Sequence, residues 1–389
     1  MRVLIVNTTE RRGGAAIAAS RLAKALRKEG AEVSVATRKS DCPLSILHCP
    51  FSVKPLAFYW ERARIFLANR LKKQNLWQVD IANCGEDITK TEAFREADVV
   101  HLHWVNQGFL SLRGIEKIVS SGKRVVWTLH DQWPYTGICH FAGECRHFET
   151  GCHDCPQLVR PGAKDLAYRT FEAKRRIFAQ GHVTLVGCSQ WIADEARKSL
   201  LARGQRVVTI PNAIDHEVFR PIAKREAREH FDLPEDRRIV LFICQKVTDE
   251  RKGVRYLEEA MKEVPDAMLI RVGQDGDFEI HDEERMALMY AAANVFVTPS
   301  LQDNLPNTIV EAMSCGTPCV GFAVGGIPEM IHHKEDGYVA RYRDADDLAE
   351  GIRYVLAHPG LSEAAARYAR ETYDEQRVAR RYMKEYLGE

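Results

Sequence analysis

The chain has 389 residues, 45% of them apolar, and 55 Lys and Arg against 54 Asp and Glu give a formal net charge of +1. That length exceeds one typical core and suits two domains. The near-neutral charge excludes an overall electrostatic pull toward nucleic acid or membrane, so any such attraction has to be local.

The opening, MRVLIVNTTE, holds an apolar run too short for a secretion signal, and it reads as a buried strand. No apolar stretch reaches the ~18 residues that a membrane span requires. A cytoplasmic location is therefore expected, where clustered cysteines are more often metal ligands than disulfides. Further short apolar runs come after it: Val33–Ala36, Val99–Leu102, Val125–Leu129, Val183–Gly187, Val207–Ile210, Ile239–Ile243, Met268–Val272, Val295–Thr298 and Pro318–Phe322. Helical spacing lies between several of them. Ile17, Leu22, Ala25 and Leu26 mark one helix, closed by Gly30. This alternation predicts an α/β fold with parallel sheets covered on both faces, and the number of runs favours two doubly wound domains. The hinge is expected near Arg203–Arg206, although no Pro/Gly/Ser-rich linker marks it.

Candidate chemistry falls at the ends of these runs. Gly13-Gly14 precedes the first helix, where backbone N–H groups can face an anion; a plain turn is the alternative. His103 and His130 stand just past strands, where open α/β sheets place ligands. Lys246 and Lys252 flank a loop before Gly253 and suit a diphosphate, against the plainer reading of a solvated charge run. Asp303 and Glu311 are eight residues apart, about two helical turns, so both can address one ligand. Carboxylates suit vicinal hydroxyls because each oxygen accepts from a separate O–H. Asp275 and Asp277 form a D-x-D that reads mainly as a turn.

The stretch GICHFAGECRHFETGCHDCPQL, residues 137–158, holds Cys139, Cys145, Cys152 and Cys155. The spacing suits a closed tetrahedral zinc site, which would be structural rather than catalytic. Unligated thiols and an iron–sulfur cluster remain alternatives, the latter suggested by Pro156.

The run from Asp303 to Glu311, followed by EAMSCGTPCV and VGGIPEMI, resembles the signature of the retaining glycosyltransferases of family 4. Gly13-Gly14, TLHD, IPNAID at Ile210–Asp215 with Phe219 and Pro221, and DERKG extend the match over nearly the whole chain. The cysteine loop resembles that of a subgroup associated with bacterial exopolysaccharide and colanic-acid-type assembly. The resemblance implies a GT-B fold, with two Rossmann-like domains facing a central cleft. It divides the chain into an acceptor-side domain 1–205 with the cysteine loop, a nucleotide-sugar domain 206–372, and a helix 373–389 packing back on the first domain.

It also implies roles. Glu311 would hold ribose hydroxyls, and Asp303, where the family usually has glutamate, would contact the donor sugar. Lys252 and Lys246 would bind the diphosphate, and His130 would lie near the donor sugar. Gly13, Gly14, Asn304, Leu305, Asn307 and Thr308 would line the donor. The implied partners are a UDP- or GDP-sugar donor and a glycan or polyprenyl-diphosphate-linked acceptor, with no catalytic metal and no nucleic acid. A degenerate relative, or a zinc-loop binding module without transfer, is the alternative. One departure stands out: only Gln274–His281 intervene where the family has a longer segment with a further strand. Lys54–Trp77 combines aromatic and basic residues, as either a packed domain helix or a membrane-surface helix at the inner face of the plasma membrane.

Overall fold

The computed structural model describes residues 1–10, 12–38 and 54–389. The chain forms two compact units, Met1–Ile210 with Ala379–Glu389, and Pro211–Val378. No helix among the described residues is long and apolar enough to cross a membrane.

The first unit is built on a six-stranded sheet of β1 (Arg2–Val6), β2 (Glu32–Ala36), β3 (Val99–Leu102), β4 (Arg124–Leu129), β5 (Val183–Gly187) and β6 (Arg206–Thr209). All neighbours are parallel, in the order β2-β1-β3-β4-β5-β6. β3 and β5 are buried along their whole length, and β1 exposes only Arg2, because helices cover both faces. The helix Gly14–Lys28 follows β1 and ends as expected, with Gly30 in the left-handed region at φ 86°.

The second unit carries a five-stranded parallel sheet of β7 (Arg238–Lys246), β8 (Ala267–Gln274), β9 (Val295–Thr298), β10 (Cys319–Phe322) and β11 (Gly337–Ala340). Their order is β11-β10-β9-β7-β8. β8 is an edge strand, and the short segment after it turns back on it, with Phe278 bridging Val272. Val240, Phe242, Val297, Val320 and Phe322 centre the core of this unit.

The boundary between units differs from the expected 205/206. β6 pairs with β5 through Leu185↔Val207 and Gly187↔Thr209, so the run at 207–210 completes the first sheet. At the other end of the chain, Ala379–Glu389 belongs to the first unit. There the Tyr386 hydroxyl lies 2.6 Å from His101 Nδ1, and Tyr382 lies 3.0 Å from the Thr128 hydroxyl. Arg206 also donates to the Glu385 carboxylate at 2.8 and 2.9 Å.

Candidate functional site

Strand order fixes where ligands can bind. In open parallel sheets the crevice lies beyond the carboxyl ends of two strands whose connections run in opposite directions. In the first sheet that point lies between β1 and β3, and in the second between β7 and β9. The candidate residues collect there in each unit.

In the second unit, β7 ends at Lys246, an exposed residue, and the chain turns through a single helical turn, Glu250–Lys252. Gly253 then adopts φ 70°, and a Cβ there would stand 1.9 Å from the Pro299 carbonyl oxygen. Only glycine permits this close approach, which brings the loop after β7 against the loop after β9. Across it, Lys252 Nζ donates to Asp303 Oδ2 at 2.6 Å, with the two side chains 34% and 15% exposed. The lysine charge is thus held at the sheet edge, compensated by a carboxylate and still open to solvent.

Asp303 also accepts from the Asn304 amide, and Gly325 passes so close that a Cβ would stand 1.7 Å from the Asp303 carbonyl oxygen. The helix Asn307–Ser314 starts immediately beyond Pro306, and no side chain caps its first turn. Its positive dipole end and early N–H groups suit an anion. Asn304 and Leu305 are buried, whereas Asn307 and Thr308 are half-buried. Asn307 Oδ1 accepts from Asn212 Nδ2 at 2.9 Å. Glu311, one turn into the helix, is buried, and one carboxylate oxygen accepts from the Tyr290 hydroxyl at 2.8 Å. That bond fixes the carboxylate direction, and Tyr290 is a positioning partner that sequence spacing did not suggest.

In the D-x-D, Asp277 is engaged within the chain. The Asp277 carboxylate accepts from the Arg271 backbone and guanidinium at 2.8 to 3.2 Å, and Asp275 sits in a turn at φ 67°.

In the first unit, Gly13 opens the helix after β1 at φ 89°, where a Cβ would meet nothing within 4 Å. Glycine there serves backbone conformation rather than space. His103 follows β3 and His130 follows β4, and their rings meet with His103 Nδ1 2.8 Å from His130 Nε2. His101 packs against His103 with tilted rings, their centroids 4.3 Å apart. Burial drives all three imidazoles toward the neutral form, with His101 lowered to about 3 and His130 to about 4. His103 Nε2 is buried with no hydrogen-bond partner among the described residues.

Next to His130 lies a buried charged network that sequence reasoning missed. His140 bridges two carboxylates, with Nδ1 2.6 Å from Asp131 Oδ2 and Nε2 2.5 Å from Asp80 Oδ2. Asp131 also accepts from Trp104 Nε1 and the Trp133 amide, and Asp80 pairs with Arg62. Burial opposes the charge on Asp131, but the His140 charge and hydrogen bonds outweigh it and hold the carboxyl below its usual range. TLHD displayed Asp131 and the cysteine stretch displayed His140, but nothing local marked Asp80 as their partner. The four cysteines also lie in this unit, all lining one small cavity.

Two parallel-sheet α/β units, each with charged or polar side chains at its switch point, have the architecture of GT-B glycosyltransferases. Structural comparison agrees. Sucrose-phosphate synthase from Thermosynechococcus elongatus superposes with a TM-score of 0.69 at 19% identity, over 100% of this chain and 98% of that one. HepE of Anabaena, solved in complex with UDP, superposes with a TM-score of 0.64 at 14% identity over 100% of both chains.

The chain belongs to Glycosyltransferase Family 4, which matches residues 12–218, and residues 237–358 match the family described as glycosyl transferases group 1. A putative colanic acid biosynthesis glycosyl transferase, WcaC of Escherichia coli strain K12, is 25% identical over 319 residues, 74% of this chain and 76% of that protein. N-acetyl-alpha-D-glucosaminyl L-malate synthase of Bacillus anthracis is 26% identical over 206 residues, 48% of this chain. The match spans about half of that relative's length, 54%.

Proposed function

We propose that the protein is a retaining glycosyltransferase that moves a hexosyl group from a UDP- or GDP-sugar to a glycan or polyprenyl-diphosphate-linked acceptor in surface polysaccharide synthesis. The observation that carries this reading is the meeting of Lys252 and Asp303 at the switch point of the second sheet, where the Glu311 helix begins.

On this reading the donor diphosphate takes over the Lys252 ammonium now paired with Asp303. Lys246 and the first-turn N–H groups of the helix Asn307–Ser314 add further positive potential. Negative charge grows on the departing nucleoside diphosphate, so these groups act where the transition state needs them. Glu311, oriented by Tyr290, accepts from the ribose hydroxyls. Asp303 addresses the sugar, and the role that the family resemblance gives His130 is carried in the first unit, where His103 fixes its ring. The acceptor hydroxyl attacks from the leaving-group face, so the new bond keeps the donor's anomeric configuration. UDP binding by HepE and the colanic acid role given to WcaC support the donor and the setting.

The helix Lys54–Ala68 and the segment after it supply the acceptor side. Leu56, Tyr59, Trp60, Leu67, Leu71 and Trp77 are each at least 57% exposed. Arg64, Arg70, Lys72 and Lys73 are exposed among them, while the acidic Glu61 is buried. Aromatic and cationic groups sharing one surface complement an anionic lipid interface, which suits a lipid-linked acceptor.

The test is transfer from a panel of nucleotide sugars to a polyprenyl-diphosphate-linked acceptor, with the product anomer assigned by proton NMR and anionic vesicles present or absent. Retention of configuration and stimulation by the vesicles are expected. Inversion, or no transfer from any donor, overturns the reaction; unchanged rates with vesicles and no co-sedimentation overturn the lipid contact.

A further inference from the structure

The cysteine loop plays no part in the chemistry above, yet its thiols are gathered. Cys139, Cys145, Cys152 and Cys155 line one cavity closed by Ile138, Phe148 and Ala167. Three of the four are buried, and no disulfide joins any described cysteine. Between Gly137 and Asp165 the chain forms only one helical turn, His147–Glu149, and no strand. Such a segment has few backbone bonds and little apolar surface to order it.

Donor groups face the sulfurs, against burial that pushes the Cys139, Cys152 and Cys155 thiols above their usual range. The Gly137 amide donates to Cys152 Sγ at 3.2 Å, and the Gln157 amide faces the Cys155 sulfur. The Lys174 ammonium lies buried beneath the loop and donates to three carbonyls, of Trp133, Thr136 and Gly137, at 2.5 to 3.1 Å. These partners are neutral, and the cation lies within electrostatic reach of Cys139 and Cys152. Burial lowers this ammonium to about 7, and anionic sulfur nearby would favour its charged form. As the side chains stand, no three donors among the described residues are drawn together tightly enough to hold an ion.

We propose that Cys139, Cys145, Cys152 and Cys155 close on one zinc ion. Four sulfur–zinc bonds form as four thiol protons pass to solvent, leaving a dianionic tetrathiolate centre beside Lys174. With all four positions filled by sulfur, the ion takes no substrate. It braces the segment that carries His140, and so the Asp131 carboxylate beside His130.

The test uses the full-length chain purified under reducing conditions and reconstituted with zinc alone. Elemental analysis is expected to find one zinc per chain, and cobalt substitution is expected to give the charge-transfer bands of a tetrahedral tetrathiolate. The double variant Cys152→Ser, Cys155→Ser is expected to lose the ion. Since that variant can also fail to fold, the unaltered chain is titrated with a mercurial in the presence of a chromogenic chelator. Release of the single zinc as four thiols react supports the site. A chain that stays metal-free after reconstitution, zinc retained by the double variant, or iron with sulfide in place of zinc overturns it.

Discussion

Glu61 offers a sharp test of the buried network because its perturbation has a calculable pH dependence. Its side chain is fully buried on the helix Lys54–Ala68, and Oε1 accepts from the Ile81 and Ala82 amides at 2.8 and 2.6 Å. Burial and the neighbouring Asp80 charge raise its carboxyl from the usual 4.5 to about 7, against the opposing pull of Arg62. The folded value lies above the unfolded one, so the neutral carboxyl favours the fold. That contribution is complete below pH 4.5 and disappears as the pH rises through 7. Glu61→Gln keeps the acceptor oxygen and stays neutral at every pH.

Linkage makes the wild type lose about 2 kcal/mol relative to the variant between pH 5.5 and pH 8, whatever constant offset the amide introduces. Urea unfolding of both proteins at the two pH values measures this double difference. Parallel stability profiles for the two proteins would refute the assignment of Glu61 as a buried carboxyl that ionises at the expense of the fold.

Two further outcomes rest on individual contacts. Gly253→Ala places a methyl 1.9 Å from the Pro299 carbonyl oxygen at φ 70°, so it should destabilise the second unit by at least about 2 kcal/mol and weaken nucleotide binding; an unchanged melting temperature with unchanged binding would contradict the packing of these two loops. Tyr386→Phe removes the hydroxyl 2.6 Å from buried His101 Nδ1 and should destabilise by about 1–2 kcal/mol in urea titration, while a loss below ~0.5 kcal/mol would show that this bond does not hold the C-terminal segment.

Much of the fold was legible because its strands are buried on both faces, which leaves unbroken apolar runs such as VLIV and VFVT. β11 was not foreseen: it is four residues long, opens with glycine and offers only Tyr338 and Val339 as strand formers. β6 was foreseen as a strand but assigned to the wrong unit, since it is a half-buried edge strand and no linker composition separates it from the second unit.

The switch-point residues were readable for a related reason, since Lys246 closes β7 and Lys252 and Asp303 stand in the loops past strand ends. Their partners were not. Tyr290 is 21 residues from Glu311, Asp80 is 60 from His140, and Tyr386 is 285 from His101. Spacing reveals neighbours within a helix or strand, whereas these contacts are made only when distant elements pack.

The central claim is that the second unit grips a nucleoside diphosphate through Lys252. Calorimetric titration of the wild type and Lys252→Ala with UDP, GDP and ADP tests it most directly, with circular dichroism confirming that the variant is folded. One nucleotide should bind the wild type, and the variant should bind it at least about tenfold more weakly, a loss of about 1.4 kcal/mol. Equal affinity in the folded variant, or no binding of any of the three to the wild type, would contradict the claim.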